Sequence, residues 1–307
     1  MKIGITGISG YLGGLLAQSL VKNDAVESIT GIDLKEPVFR HEKLAFVQCD
    51  VRDKALGKAL KGCDTIVHLT FIVQEIKDKK LTYDINLNGT KNLLAACEEN
   101  KPVKLVIASS VAAYGCVDRD YTITEDSPLQ GNKTSYYSDT KRIVEGMLDE
   151  FERKNPNIML TRMRPSIFCG RHVNNFFIDT VKLPVIIYVT GNPFGLPLVY
   201  EGDVADAFCT VILENHPGAF NLHAGMLSVD RMSEILGKKA IGLPYGIARI
   251  LADIGFRLGI TKFSGHWVEL GRYPMEISAE KAKKELGWVP ARTAEQAFIE
   301  MVESFKE

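Results

Sequence analysis

The first half of the chain alternates short apolar runs with amphipathic stretches. The runs "KIGITG", "SITGID", "KLAFVQCD", "DTIVHLT", "VKLVIASS" and "IMLTRMRPS" are rich in Val and Ile and almost continuous in hydrophobicity. A strand exposed on one face alternates apolar with polar; a strand covered on both faces does not, so these runs predict a parallel sheet between helices. The strand–helix rhythm lasts to about residue 165. Beyond it, Pro and Gly punctuate segments such as "TGNPFGLPLVYEGD", followed by a helix near 203–214, a strand at "GAFNLHAG" and closing helices. The expected fold class is α/β, a doubly wound parallel sheet over 1–165 plus about 199–224. A smaller, discontinuous C-terminal lobe over 166–198 and 225–307 would carry the substrate.

Within that lobe, "LPYGIARILADIGFRLGI" is the most apolar stretch, but Arg249, Asp253 and Arg257 interrupt it, which excludes a membrane span. Those three lie four apart and can pair along one face. Ile247, Ile250, Leu251, Ile254 and Leu258 form the opposite stripe, predicting a buried helix or a pocket lid.

A chain of 307 residues can bury a substantial core. Its net charge of −1 argues against a nucleic-acid surface or a polybasic membrane anchor. The six cysteines form no C-x-x-C pair and no cluster with metal-ligand spacing, so no metal is expected and buried thiols in a reducing cytoplasm are the simpler reading. With a structural motif beginning at Lys2, no signal peptide is expected.

That motif is "TGISGYLG", which follows the first strand and opens a helix. Gly7 permits a tight turn, Gly10 lets the backbone approach a pyrophosphate, and Gly13 allows close packing of helix on strand. Phosphates would then sit at the positive helix end formed by Gly10, Tyr11, Leu12 and Gly13. The second strand ends in Asp33, an acid placed to accept from ribose hydroxyls and to repel a 2′-phosphate. A Rossmann-type domain binding NAD rather than NADP is expected. A second candidate lies in "SYYSDTKR": on a helix Tyr137 shares a face with Lys141, whereas Tyr136 shares one with Thr140.

With these pieces in order, the chain resembles the extended short-chain dehydrogenase/reductase superfamily, in its NAD-dependent epimerase/dehydratase family. The resemblance runs over nearly the full length, through "TGISGYLG", "CDVRD", "VHL", "NLNGTKNLLAAC", "SSVAAYG", "YSDTK", "RPSIFCG", "GDVADAF", "FNLHAG" and "KKELGWVP". It implies that Asp50 and Val51 flank the adenine, that Leu69 and Thr70 line the way to the nicotinamide, and that Asn86 steadies the active-site helix. It further implies a catalytic set of Ser110, Tyr137 and Lys141, with Ser109 turned to the other face. Tyr137 would take the proton of a substrate hydroxyl, Lys141 would favour the phenolate and hold the nicotinamide ribose, and Ser110 would fix the substrate oxygen.

The same resemblance shows departures. Dehydratases of this superfamily carry an Asp–Glu pair where Val111 and Ala112 stand, and related decarboxylases keep a glutamate at the place of Ala112, so neither elimination nor decarboxylation is expected. Small residues are usual where Thr70 and Phe71 stand. Nucleotide-sugar enzymes commonly place an Asn at Ile167 and a diphosphate-clamping Arg at Leu196. Arg171 or His172 could supply charge from another side, and Asn174 and Asn175 could bond a substrate. The first functional reading is an NAD-dependent 4-epimerase of a nucleoside-diphosphate sugar, like UDP-glucose 4-epimerase. The alternative is a dehydrogenase of a hydrophobic secondary alcohol, like the 3β-hydroxysteroid enzymes, with Ile167, Phe176, Phe177 and Leu196 in its pocket. The resemblance also implies a homodimer through two helices, for which Leu93, Leu94, Ile143, Val144 and Met147 would serve, although these residues could equally pack inside one subunit.

Overall fold

The computed structural model describes residues 1–73, 78–118, 120–173, 175–191, 195–261 and 263–305. Its strands are β1 (Lys2–Thr6), β2 (Ser28–Asp33), β3 (Leu44–Gln48), β4 (Thr65–His68), β5 (Lys104–Ala108), β6 (Met159–Pro165), β7 (Ile167–Cys169), β8 (Ile186–Val189), β9 (Leu196–Tyr200), β10 (Gly218–Leu222), β11 (Met226–Leu227) and β12 (Ala240–Leu243). Seven of them form one sheet in the order β10-β6-β5-β4-β1-β2-β3. Every neighbouring pair in it is parallel. The six apolar runs read from the sequence become its first six strands.

Both faces of this sheet are covered, as the unbroken apolar runs require. Ile3, Ile5, Ile29 and Phe220 are wholly buried with the helices Tyr11–Leu20 and Glu201–Leu213. On the other side Ile32, Ile66, Leu105 and Leu160 pack with Leu93, Leu94, Val144 and Leu148 from the helices Gly89–Asn100 and Tyr136–Lys154. Leu93, Leu94 and Val144 are therefore core residues of one chain, which removes them from the apolar set expected at a dimer contact.

Buried charge is placed where the backbone needs it. The Lys104 ammonium donates to the carbonyls of Val211 and Ile212 at 2.9 Å each, and to that of Glu214, closing the C-terminal end of the helix Glu201–Leu213. A cation there satisfies unpaired carbonyls and opposes the helix dipole.

The remaining strands make a three-stranded sheet, β11-β9-β7, and the pair β12-β8. Over the latter lies the lid helix Tyr245–Arg257. It corrects the buried-helix alternative: Ala248, Ala252 and Gly255 face inward, while Ile247, Ile250, Leu251, Ile254 and Leu258 are exposed. The charged residues do not pair with one another either. Arg249 donates to the Tyr245 hydroxyl at 3.0 Å, and Asp253 accepts from the Gly265 amide at 2.8 Å.

Candidate active site

Parallel strands deliver their carboxyl ends to one edge of the sheet, and ligands of such folds bind there. Four chain segments meet at that edge: the glycine turn after β1, Leu69 after β4, Ser110 after β5 and Ser166 after β6. They border a cleft of about 340 Å³.

At one end of the cleft lie Gly7, Gly10, Tyr11, Leu12 and Gly13. Gly7 has φ +77°, and a Cβ there would come within 2.8 Å of the Thr70 amide nitrogen. A Cβ on Gly13 would meet the Gly7 carbonyl oxygen at 2.3 Å. The helix Tyr11–Leu20 has no acidic residue in its first turn and no capping side chain, so its leading amides are left to an anion. Two hydroxyls bordering the cleft, those of Tyr11 and Ser166, are buried without a hydrogen-bond partner. A glycine cradle, open helix amides and unpaired buried hydroxyls fit a dinucleotide. Asp33 accepts from the amides of Ser9 at 3.1 Å and Leu34 at 2.7 Å, which fixes its carboxylate beside the turn. The Cys49 amide donates to the Asp33 carbonyl at 3.0 Å, bringing Asp50 and Val51 to the same edge. The Asp50 carboxylate is held by Arg52, whose Nη2 donates at 2.6 Å. Leu69 borders the cleft as expected; Thr70 does not, and Phe71 and Val73 complete that wall.

At the other end the helix Tyr136–Lys154 presents Tyr137 and Lys141. The Lys141 ammonium donates to the Ala108 carbonyl at 2.7 Å, tying the helix to the end of β5. Ser110 borders the cleft beside Tyr137, and its hydroxyl accepts from the Ala112 amide at 3.1 Å. Ser110, Tyr137 and Lys141 are thus brought together. Ser109 also borders the cleft, but its hydroxyl donates to Glu145 at 2.5 Å. Tyr136 is structural: its hydroxyl donates to the Ile72 carbonyl at 2.5 Å and accepts from Asn86. Asn86 also accepts from the Ile72 amide at 2.7 Å, so it anchors the loop after β4 to this helix.

Burial governs the electrostatics. It pushes the Tyr137 phenol up to about 12, against a smaller lowering by Ser110. It pulls the Lys141 ammonium down to about 7, against a smaller raising by Glu145. The chain by itself therefore keeps the phenol protonated, and further positive charge must arrive with a ligand for Tyr137 to act as a base.

Three partners escape the sequence reading. Phe71 stands with its ring centroid 3.6 Å from the Lys141 nitrogen and meets Tyr137 edge-on at 5.8 Å. Trp267 stacks on Tyr137 at 5.4 Å. Glu145, fully buried, accepts from Arg164 at 2.8 and 3.0 Å and lies one turn beyond Lys141. Its spacing was a usable signal, since Tyr137, Lys141 and Glu145 stand four apart on one face. No local pattern connects Trp267 with Tyr137.

Of the tentative substrate residues, Ile167, Asn175 and Leu196 border the cleft. Asn175 is also the cap of the helix Phe176–Val181, accepting from the Phe177 amide at 3.0 Å. Asn174 lies outside the described residues, as does the side chain of Phe176. His172 faces Glu201, its Nδ1 at 3.1 Å from the carboxylate, and neither it nor Arg171 borders the cleft. Beyond Ile167 and Leu196 opens a second cavity of about 240 Å³, walled by residues such as Phe177, Val189, Met232 and Phe263. Ile167, Leu196, Trp267 and Leu270 border both spaces. Among the described residues, the second cavity has no charged side chain in its wall.

A model of the NAD dependent epimerase/dehydratase family matches residues 3–222. An uncharacterized protein of Sinorhizobium fredii is 27% identical over 310 residues, spanning 96% of this chain and 76% of that one. The human sterol-4-alpha-carboxylate 3-dehydrogenase, decarboxylating, is 24% identical over 98% of this chain and 87% of its own. In fold, the chain matches the Thermus thermophilus UDP-glucose 4-epimerase complex with NAD, with a TM-score of 0.76 and 22% identity over 100% of this chain and 99% of that one.

Proposed function

The chain belongs to the NAD dependent epimerase/dehydratase family, and on that premise we propose that it is an NAD-dependent oxidoreductase of a secondary alcohol, or of the matching ketone, carried on an apolar substrate. The observation that carries this reading is the uncharged cavity adjoining Ser110, Tyr137 and Lys141 through Ile167, Leu196, Trp267 and Leu270. A diphosphate needs a cationic fork, and burying one without it is costly. An apolar ring system, by contrast, gains about 25 cal/mol for each Å² it removes from water there. The full-length relation to a human sterol dehydrogenase supports the same substrate class.

NAD, when bound, supplies the hydride acceptor and the positive charge of its ring. The glycine turn, the open amides of the helix Tyr11–Leu20 and the carboxylate of Asp33 would hold it. The protein's part is proton handling and position. Ser110 bonds the substrate oxygen and Tyr137 takes its proton at the phenol oxygen. Lys141 contributes the adjacent charge. Phe71 and Trp267 bracket the Tyr137 ring, limiting its freedom and keeping water from it. Val111 and Ala112, both buried beside Ser110, carry no ionisable group, which favours oxidoreduction without elimination.

Trp267 gives a direct test, because it borders both spaces. Titration of the NAD-bound protein with an apolar cyclic secondary alcohol should change tryptophan fluorescence saturably, and Trp267→Phe should abolish the signal. UDP-glucose should leave it unchanged. Saturation by UDP-glucose with no response to the alcohol would instead favour the nucleotide-sugar epimerase.

A further inference from the structure

The lid helix turns its apolar side to water. Ile247, Ile250, Leu251 and Ile254, with Leu258 and Ile260 just beyond, are 46–71% exposed. Ile187 and Ile241, paired across β8 and β12, add to them at 43 and 44%. Together these make eight of the fourteen exposed large apolar residues in the described chain, within two neighbouring elements. Scattered exposed aliphatics need no explanation, whereas a contiguous patch marks an interaction surface.

The patch is continuous with the apolar cavity. Leu251 and Ile187 belong to both, so the cavity is rimmed by exposed aliphatic side chains. The exposed charge on the lid helix and beside Ile241 is cationic. Asp253, the sole acid between Tyr245 and Ile260, is held inside by the Gly265 amide. Arg257 and Lys239, the latter two residues before Ile241, are exposed. An amphipathic helix with cations beside an apolar stripe suits the boundary between anionic headgroups and acyl chains.

We propose that this face docks on an anionic lipid surface, with the lid helix lying in the interface and the cavity opening toward the acyl chains. The helix cannot cross a bilayer: it has 13 residues, and no described helix is long and apolar enough to span. A second copy of the chain suits the face less well, because a two-fold contact would bring two cationic patches together with no exposed acid on either helix to answer them. The proposal goes beyond the redox reading, since vesicle binding requires neither NAD nor turnover.

The test is co-sedimentation of the full chain with vesicles of phosphatidylcholine alone or mixed with phosphatidylglycerol. Wild type should sediment with the mixed vesicles, and more weakly with phosphatidylcholine or at high salt. Ile250→Glu combined with Ile254→Glu should lower the bound fraction roughly tenfold or more, while circular dichroism and NAD binding stay as in wild type. Arg257→Glu should remove most of the preference for phosphatidylglycerol. Two results would overturn the proposal. One is wild type that sediments with neither vesicle; the other is a double variant that sediments as well as wild type. A concentration-dependent dimer dissolved by the double variant, with no vesicle binding, would assign the face to a second copy instead.

Discussion

Tyr137 packs against Phe71 and Trp267, with Ser110 on the same cleft and the Lys141 ammonium against the Phe71 ring. Replacing it by Phe keeps the packing and removes the proposed proton acceptor, so Tyr137→Phe should lose about 10²–10⁴ in kcat with NAD affinity unchanged. The pH dependence has a defined sign. Oxidation needs the phenolate and should rise with pH, ketone reduction needs the phenol and should fall, and both slopes should vanish in the Phe variant. Lys141 makes a separate prediction for the cofactor-free protein. Folded, its ammonium gives up its proton near 7; unfolded, near 10.5. Between those values the unfolded chain holds more protons, so stability rises with pH, by at most about 1.4 kcal/mol per unit. Urea unfolding of wild type and Lys141→Met should therefore show the difference between them shifting in favour of wild type from pH 7 to 9. A difference that does not move with pH would mean that the ammonium is not desolvated. The Tyr–Lys pair was legible because four-residue spacing places side chains on one face. Phe71 and Trp267 were not, because only the fold brings residues from the β4 loop and the far C-terminal lobe against them.

The glycine turn joins β1 to the helix Tyr11–Leu20 with almost no spare space. Gly13→Ala would drive a methyl against the Gly7 and Ile8 carbonyl oxygens, at 2.3 and 2.7 Å. The turn must then move, and NAD affinity should fall at least tenfold by calorimetry; unchanged affinity would show that the cradle does not hold the pyrophosphate. Lys104→Met should lower stability by about 1–3 kcal/mol in urea unfolding, since it strips buried carbonyls of their donor. Strands β1 to β6 were readable because burial on both faces leaves a nearly continuous apolar run. The lid helix was read inside out for an equally physical reason. A helical period fixes which residues share a face, not which face meets the protein, and Ala248, Ala252 and Gly255 allow the close approach that bulky Ile and Leu prevent.

For the whole molecule, one edge of the sheet carries the glycine turn and Tyr137 on one cleft, and the apolar cavity adjoins it, with Ile167 and Leu196 at the junction. These two positions were visible in the sequence as departures from the nucleotide-sugar pattern, but the cavity behind them was not, because its wall is drawn from segments between Ile167 and Gly271. Leu196→Arg would place a cation at that junction and should raise KM for an apolar alcohol more than it lowers kcat. The most direct measurement supplies the purified enzyme with NAD and, in parallel, an apolar cyclic secondary alcohol, UDP-glucose and UDP-galactose, while following absorbance of the reduced cofactor and sugar interconversion. Stoichiometric NADH from the apolar alcohol, with both sugars inert, is the predicted result. Interconversion of the sugars with no net NADH would contradict it.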